Sequence, residues 1–207
     1  IGPIATQGVG GQVIRYANTA TMKSQGQELS VQTTNIKNNN LTWVTNVIFS
    51  HVTTEVTSLM SQARTIDLVN GEASSGFTME GYPHRAIFSM PFQGLTDKGI
   101  PTYLNEKGEL TSTDLDFQNR NSNGYLIYEG PTEPTITGSF GNEIKWKNWR
   151  LNVFLTYSFG SYVRLDRIFS AQYNDLTSMT KEFKNRWMQA GNEKTTSVPT
   201  ILPYRSF

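Results

Sequence analysis

The chain has 207 residues, no cysteine and a formal net charge of +1. That length can bury a core in one or two domains, the near-neutral charge supplies no field to draw nucleic acid, and the missing cysteine excludes disulfides and thiolate metal sites. No run of 18 apolar residues occurs, so no transmembrane helix is expected; a membrane barrel, which turns only alternate residues to lipid, is untouched by that test.

Residues 1–20 are rich in Gly, Ala, Thr and Gln without periodicity, and read as a loop. Gly8-Val9-Gly10-Gly11 lacks the third-glycine spacing and the preceding strand of a dinucleotide fingerprint. The opening IGPIATQGVGG has neither a basic nor an apolar leader, so no signal peptide is expected and the chain reads as mature or as a piece of something longer. From Gln27 to Asn35, Leu29, Val31 and Thr33 alternate with polar residues; Lys37 to Asn40 make a turn. Leu41, Trp43, Thr45, Val47 and Phe49 then alternate with Thr42, Val44, Asn46, Ile48 and Ser50, completing a hairpin. Thr53–Ser61 reads as its continuation and Asp67–Ser75 as a loop.

In Gly81–Gly94, Pro83 and Pro91 interrupt strand-like apolar residues, which suits an edge, a bulge or a strand above the membrane plane. Asp97-Lys98-Gly99 and Asn105–Gly108 are turn signals around Pro101–Leu104, and Thr111–Asn123 is a polar surface loop. The clearest pattern runs from Thr135 to Gly160. Ile136, Phe140, Ile144 and Trp146 lead into Lys147-Asn148, and Trp149, Leu151, Val153, Leu155, Tyr157 and Phe159 lead out. A two-residue turn there pairs Trp146 with Trp149, Ile144 with Leu151 and Phe140 with Leu155, so the apolar rows share one face. Phe154 is the bulky exception on the polar face of this hairpin, and its partner Gly141 leaves room for the ring. Ser161–Ser170 suits a strand running on into solvent. Leu176, Met179, Phe183 and Trp187 recur at helical spacing, predicting a helix of about three turns over Asp175–Trp187, followed by an extended tail.

What covers the apolar face decides the function. Each strand has about a dozen alternating residues, longer than the usual 5 to 6 of globular strands and close to the roughly 9 to 11 that cross a membrane. Tryptophans at the turn and Tyr157 with Phe159 at the far end have the placement of aromatic girdles. The competing readings are a soluble or cell-surface glycan-binding β-sandwich and, less favoured, a polysaccharide-cleaving enzyme using Glu106 with Glu109 or Asp114 with Asp116. Those acids lie in turn-rich stretches where solvated carboxylates are ordinary. His51 and His84 have no partner at metal-ligand spacing, no catalytic motif is present, and no cofactor is expected. Tyr162, Tyr173 and Trp187 could stack on a sugar or peptide or touch a lid protein, Trp187 having the alternative task of packing its helix down.

Glu80-Gly81-Tyr82-Pro83 with Ala86-Ile87-Phe88, then Phe92-x-Gly94-Leu95, Gly99-x-Pro101 and Asn105-x-x-Gly108, resembles the GYP-containing region of the SusC/RagA family of TonB-dependent outer-membrane receptors. Tyr128-x-Gly130-Pro131-x-x-Pro134, Gly138-x-Phe140-x-Asn142 and Phe154-x-Thr156-Tyr157-x-Phe159-Gly160 are similar to that family's next hairpin. Arg186-Trp187, Gly191-Asn192-Glu193 and Val198-Pro199 resemble its downstream loop, and Gln27-Glu28-Leu29 with Thr42-Trp43 an upstream hairpin.

The resemblance covers nearly the whole chain. It implies an all-β fold of antiparallel strands forming part of a large, 22-stranded transmembrane barrel, with one short helix in a long extracellular loop. It further implies residues 1–207 as an internal, later part of that barrel with five or six strands, the plug and TonB-binding segment lying outside them. The implied function is TonB-powered import of glycans or peptides across the outer membrane of a Gram-negative bacterium, with a SusD-type lipoprotein as lid. Trp43, Val47, Phe49, Phe140, Ile144, Trp146, Trp149, Leu151, Val153, Leu155, Tyr157 and Phe159 would then face lipid, the turn with Trp146 and Trp149 lying at the periplasmic interface.

Overall fold

The computed structural model describes residues 2–6, 13–70, 76–165, 168 and 180–201. It is almost entirely antiparallel β-structure. Strands β1 (Gly2–Thr6) and β2 (Val13–Ala17) pair with each other, replacing the loop expected for residues 1–20. Two long strands follow, β3 (Ala20–Lys37) and β4 (Leu41–Leu59), then a five-residue helix α1 (Thr65–Val69). Short strands β5 (Ala86–Ser89), β6 (Phe92–Leu95), β7 (Pro101–Leu104), β8 (Leu110–Thr111) and β9 (Ile127–Pro131) lead to β10 (Ile136–Trp146) and β11 (Trp149–Phe159).

The chain divides into two units. The first comprises Ile1–Gln62, Ser75–Ile87 and Glu129–Val163, the second Ala63–Ser74, Phe88–Tyr128 and Arg164–Phe207. The first is built on a four-stranded sheet ordered β11-β10-β4-β3. Neighbours in space follow chain order, so this is an up-and-down meander of four long strands rather than the five or six expected. Two of its connections are tight and at one end: Asn38–Asn40 between β3 and β4, and Lys147-Asn148 between β10 and β11. At the other end the whole stretch from Met60 to Thr135 joins β4 to β10.

Each tight turn has a local cause. The Asn38 side-chain carbonyl accepts the backbone N–H groups of Asn40 and Leu41 at 2.9 and 2.7 Å, the Asx turn that asparagine favours. Lys147 takes φ 53°, the left-handed conformation that lets the chain reverse within two residues. Trp146 then pairs with Trp149, Ile144 with Leu151 and Phe140 with Leu155, the expected register. Beyond the apolar rows, β3 and β4 run on together as a polar ribbon. There the Gly81–Tyr82 backbone docks on β4, Val56 N–H donating to the Tyr82 carbonyl and Gly81 N–H to the Val56 carbonyl.

The second unit is held by buried side chains and by turns. Leu68, Phe88, Leu126, Val198 and Ala63 form its buried apolar set. Thr65, wholly buried, donates to Asn123 Oδ1 at 2.7 Å, and Asn123 Nδ2 donates to the Ala63 carbonyl at 2.9 Å. Strands β6, β7 and β8 form a three-stranded sheet whose last turn is capped by Asn105, its Oδ1 accepting Lys107 N–H and Glu109 N–H. The described part of the expected Asp175–Trp187 helix is instead a 3₁₀ turn, Lys181–Asn185, ending at Arg186 in extended conformation; residues 175–179 lie outside the described residues. The described α-helix is α1, whose last three residues fall in the Asp67–Ser75 stretch read as a loop. Asp67 holds its start, accepting Arg64 N–H at 3.1 Å and Arg64 Nε and Nη2 at 2.9 and 2.6 Å.

Candidate functional site

Register brings all twelve expected interface residues to one face of the four-stranded sheet. Taken from the tight turns outward, its rows are Leu41, Trp146 and Trp149; then Trp43, Ile144 and Leu151; then Thr45, Asn142 and Val153; then Val47, Phe140 and Leu155; then Phe49, Gly138 and Tyr157. Phe159 continues the row beside Ile136 and His51. From β3, Leu29 and Val31 join opposite Phe49 and Val47. Asn35 is a bulge residue between Thr34 and Ile36, and this one-residue slip swings the even-numbered Ile36 to the same face opposite Trp43. Leu151, Val153 and Leu155, which a soluble sandwich would bury, are 57%, 43% and 58% exposed.

Two glycines let aromatic rings lie flat on this sheet. Tyr157 covers Gly138, where any Cβ would collide with the phenol, and its hydroxyl donates to the Ile48 carbonyl at 3.1 Å; its ring also stacks on Phe159. On the opposite face Phe154 lies over Gly141, as the pairing requires.

A polar belt, not foreseen in the sequence, crosses the apolar face at the third row. Asn142 Oδ1 accepts Trp43 Nε1 at 2.9 Å and Thr45 Oγ1 at 2.8 Å, Asn35 Nδ2 donates to Thr45 Oγ1 at 2.6 Å, and Thr33 Oγ1 donates to Asn35 Oδ1 at 3.0 Å. Its one sequence signal is asparagine and threonine standing in register among apolar neighbours. Mutual bonding lets these groups sit on an apolar surface at little cost.

The opposite face alternates in chemistry. It carries Asn46, Ser139, Asn152 and Thr156, and Glu143 bridged to Lys145 at 2.9 Å and Arg150 at 3.4 Å, interrupted by Val44, Ile48 and Phe154.

Known proteins share this fold. Structures of the RagAB peptide transporter and of the RagAB peptide importer in its 'open-open' state both match at TM-score 0.63 and 23% identity, over 94% and 99% of this chain. The chain shares the fold of a section of those RagAB structures. In sequence, TonB-dependent receptor P3 of Formosa agariphila is 24% identical over 205 residues, 91% of this chain. No family model matches. The chain spans about a fifth of each of these proteins, 20% of the receptor and 21% and 22% of the two RagAB chains.

The loop aromatics are held by packing. The Tyr162 ring lies over Gly130, which takes φ 146°, and Tyr162 N–H donates to the Pro131 carbonyl; about half the side chain stays exposed. Trp187 lies over Gly99 at φ 72°, its N–H donating to the Val198 carbonyl and its Nε1 to Glu193 Oε2 at 3.1 Å. Trp187 therefore does pack its segment down, though onto a 3₁₀ turn and not a helix. Tyr173 lies outside the described residues. Glu106 and Glu109 accept from Asn119 and Asn105, and Asp116 accepts Gln118 N–H, ordinary turn partners for acids. No cluster of three potential metal ligands occurs among the described residues.

Proposed function

We propose that this chain is part of the wall of an outer-membrane barrel that imports peptides or glycans in a Gram-negative bacterium, acting as a transporter section and not as an enzyme. The observation that carries the reading is an apolar sheet face, long enough to span a bilayer, with no layer over it among the described residues. Eleven residues at roughly 3.3 Å each, tilted by about 40°, reach roughly 25–28 Å, the height of the apolar band of such barrels. The row from Trp43 through Val47 and Phe49, Phe140 and Ile144, and Leu151 to Phe159 faces lipid. The face with Glu143, Asn46 and Asn152 faces the lumen.

Trp146 and Trp149 lie at the periplasmic interface, because short turns are periplasmic and long connections extracellular in such barrels. The outer edges of β3 and β11 continue into further strands of the same barrel, since an open edge has no place in hydrocarbon. The RagAB neighbours support peptide as one substrate class and a SusD-type lipoprotein as lid; the receptor-named relative supports TonB as the energy source.

Spin labels placed one at a time along residues 149–159 of the full-length receptor in nanodiscs test the orientation. Odd positions should be accessible to oxygen and shielded from a water-soluble nickel chelate, and even positions the reverse. Equal nickel access at Leu151, Val153 and Leu155 would sink the proposal.

A further inference from the structure

The second unit carries a groove of about 290 Å³ lined by Lys184, Asn185, Arg186, Met188, Asn192, Thr195 and Thr196, with no acidic side chain among these. Three of its acceptors are already engaged. Asn192 Oδ1 takes Met188 N–H and Gln189 N–H at 3.2 and 3.1 Å, the Asn185 carbonyl takes Thr196 Oγ1 at 2.5 Å, and the Asn192 carbonyl takes Thr195 Oγ1 at 3.2 Å. The nearest carboxylate in sequence, Glu193, is turned to Trp187 and Gly191, its Oε2 accepting Trp187 Nε1 at 3.1 Å and Gly191 N–H at 2.8 Å. Among the described residues, the charged and amide donors lining the groove are the Lys184 ammonium, the Asn192 amide and the Arg186 fork.

Arg186 is fixed in place before any ligand arrives. Its guanidinium lies 4.5 Å from the centre of the Phe183 ring and spends one Nη1 hydrogen on the Phe183 carbonyl at 3.3 Å. Stacking orients a planar fork whose other donors have no partner among the described residues, the arrangement that pairs with a planar two-oxygen acceptor. We propose that this groove is a carboxylate-binding subsite for the imported nutrient, a reading that rests on the import function above. The carboxylate can belong to a peptide C-terminus or to a uronic acid of a glycan; both present the same two oxygens.

The test uses the full-length receptor in nanodiscs with a bimane label on Met188→Cys, a side chain at the groove and 67% exposed. Probes are tri-alanine against tri-alanine amide, and galacturonate against galactose. The expected result is a saturable fluorescence change with at least one acid, at least about tenfold tighter than with its neutral partner, consistent with one charge-assisted bidentate bond. Arg186→Ala should remove it and Arg186→Lys retain part of it, with the barrel's heat-modifiable gel migration confirming folding in both. Whichever acid binds tighter identifies the source of the carboxylate.

Equal response to acid and neutral partner, a response surviving Arg186→Ala, or none at tens of millimolar would each overturn the proposal. So would silent probes together with release of the lid lipoprotein by Arg186→Ala, which would make the groove a lid contact. These readouts are binding on purified receptor, so a receptor that imports neither peptide nor glycan would defeat the import reading without altering them.

Discussion

The four-stranded sheet and the loop-rich unit are stabilised by opposite means. β3 exposes all of its residues and β11 all but Tyr157, and the described buried apolar residues of that unit are Val56, Ala86 and Ile87. Its coherence comes from ladder bonds, and the burial of its apolar rows must come from its surroundings. The loop unit carries its own core: Phe88 and Leu68 are 1% and 2% exposed, and Thr65 and Asn123 are bonded inside it. On the proposed reading, two parts of one chain answer to different solvents. A change of medium should act on the first, and a change of internal packing on the second.

The largest expected effect follows from the sheet. Leu155→Arg in the full-length protein should lower folding stability in a bilayer by about 2–4 kcal/mol, the cost of a cation near the midplane of the proposed lipid face. Thr156→Arg, one residue on but on the other face, should stay within about 0.5 kcal/mol. Urea titration in lipid vesicles measures both. Similar losses at the two positions would erase the contrast between the faces.

In the loop unit the counterpart is Asn123→Ala. It takes away the short bond of the buried Thr65 hydroxyl, leaving it the Asn119 carbonyl at 3.4 Å, and strands the Ala63 carbonyl, so a local loss of about 1–3 kcal/mol is expected. Hydrogen exchange at Thr65, Ile66 and Leu126 should quicken while β10 and β11 are unaffected. Loss of protection in the strands would show that the two units are one cooperative body.

The difference in legibility has the same origin. Period-two patterns around Trp43–Phe49 and Ile136–Phe159 disclosed the strands, and for the second also the hairpin register and its shared face, because alternation is a local consequence of the pleat. The Lys147-Asn148 turn and the Phe154–Gly141 pairing were legible for the same reason. The Asn35 bulge was not, since a one-residue slip leaves no mark until both strands are aligned. Leu176, Met179, Phe183 and Trp187 suggested a helix, but Phe183 supports Arg186 and Trp187 covers Gly99, tertiary contacts that outweigh a weak periodic signal in so short a segment. The described helix, α1, has five residues and starts at the Arg64–Asp67 contact, too short to give a period. The groove around Arg186 comes from turns closing on one another, which no spacing encodes.

A smaller effect probes the polar belt on the apolar face. A double-mutant cycle of Trp43→Phe with Asn142→Ala should give a coupling of about 0.6 kcal/mol, the typical worth of a side-chain hydrogen bond within a membrane protein. A coupling near zero in the bilayer would mean that the belt is solvated, placing that row at the interface instead of inside the hydrocarbon and shifting the whole sheet by four residues along its strands, from Trp146 to Asn142.

The smallest effect belongs to the loop unit and sets its acid limit. The Glu193 carboxyl is held below the usual carboxylate range by its own backbone N–H and by the Trp187 indole, with Gly191 N–H adding to them. A depressed pKa in the folded state means that the contact contributes stability above the unfolded carboxylate range, and that this contribution is lost only as pH falls through the lower, folded value. The Trp187 indole N–H resonance should therefore hold its position as pH falls from 7 into the ordinary carboxylate range, and move only as the lowered folded-state value is passed. In Glu193→Gln the transition should vanish, the amide oxygen still accepting the indole. Movement of the indole signal between pH 7 and 5 would mean that the carboxylate is not what anchors Trp187 over Gly99, and that the segment leading from Arg186 to Val198 is held by its backbone turns alone.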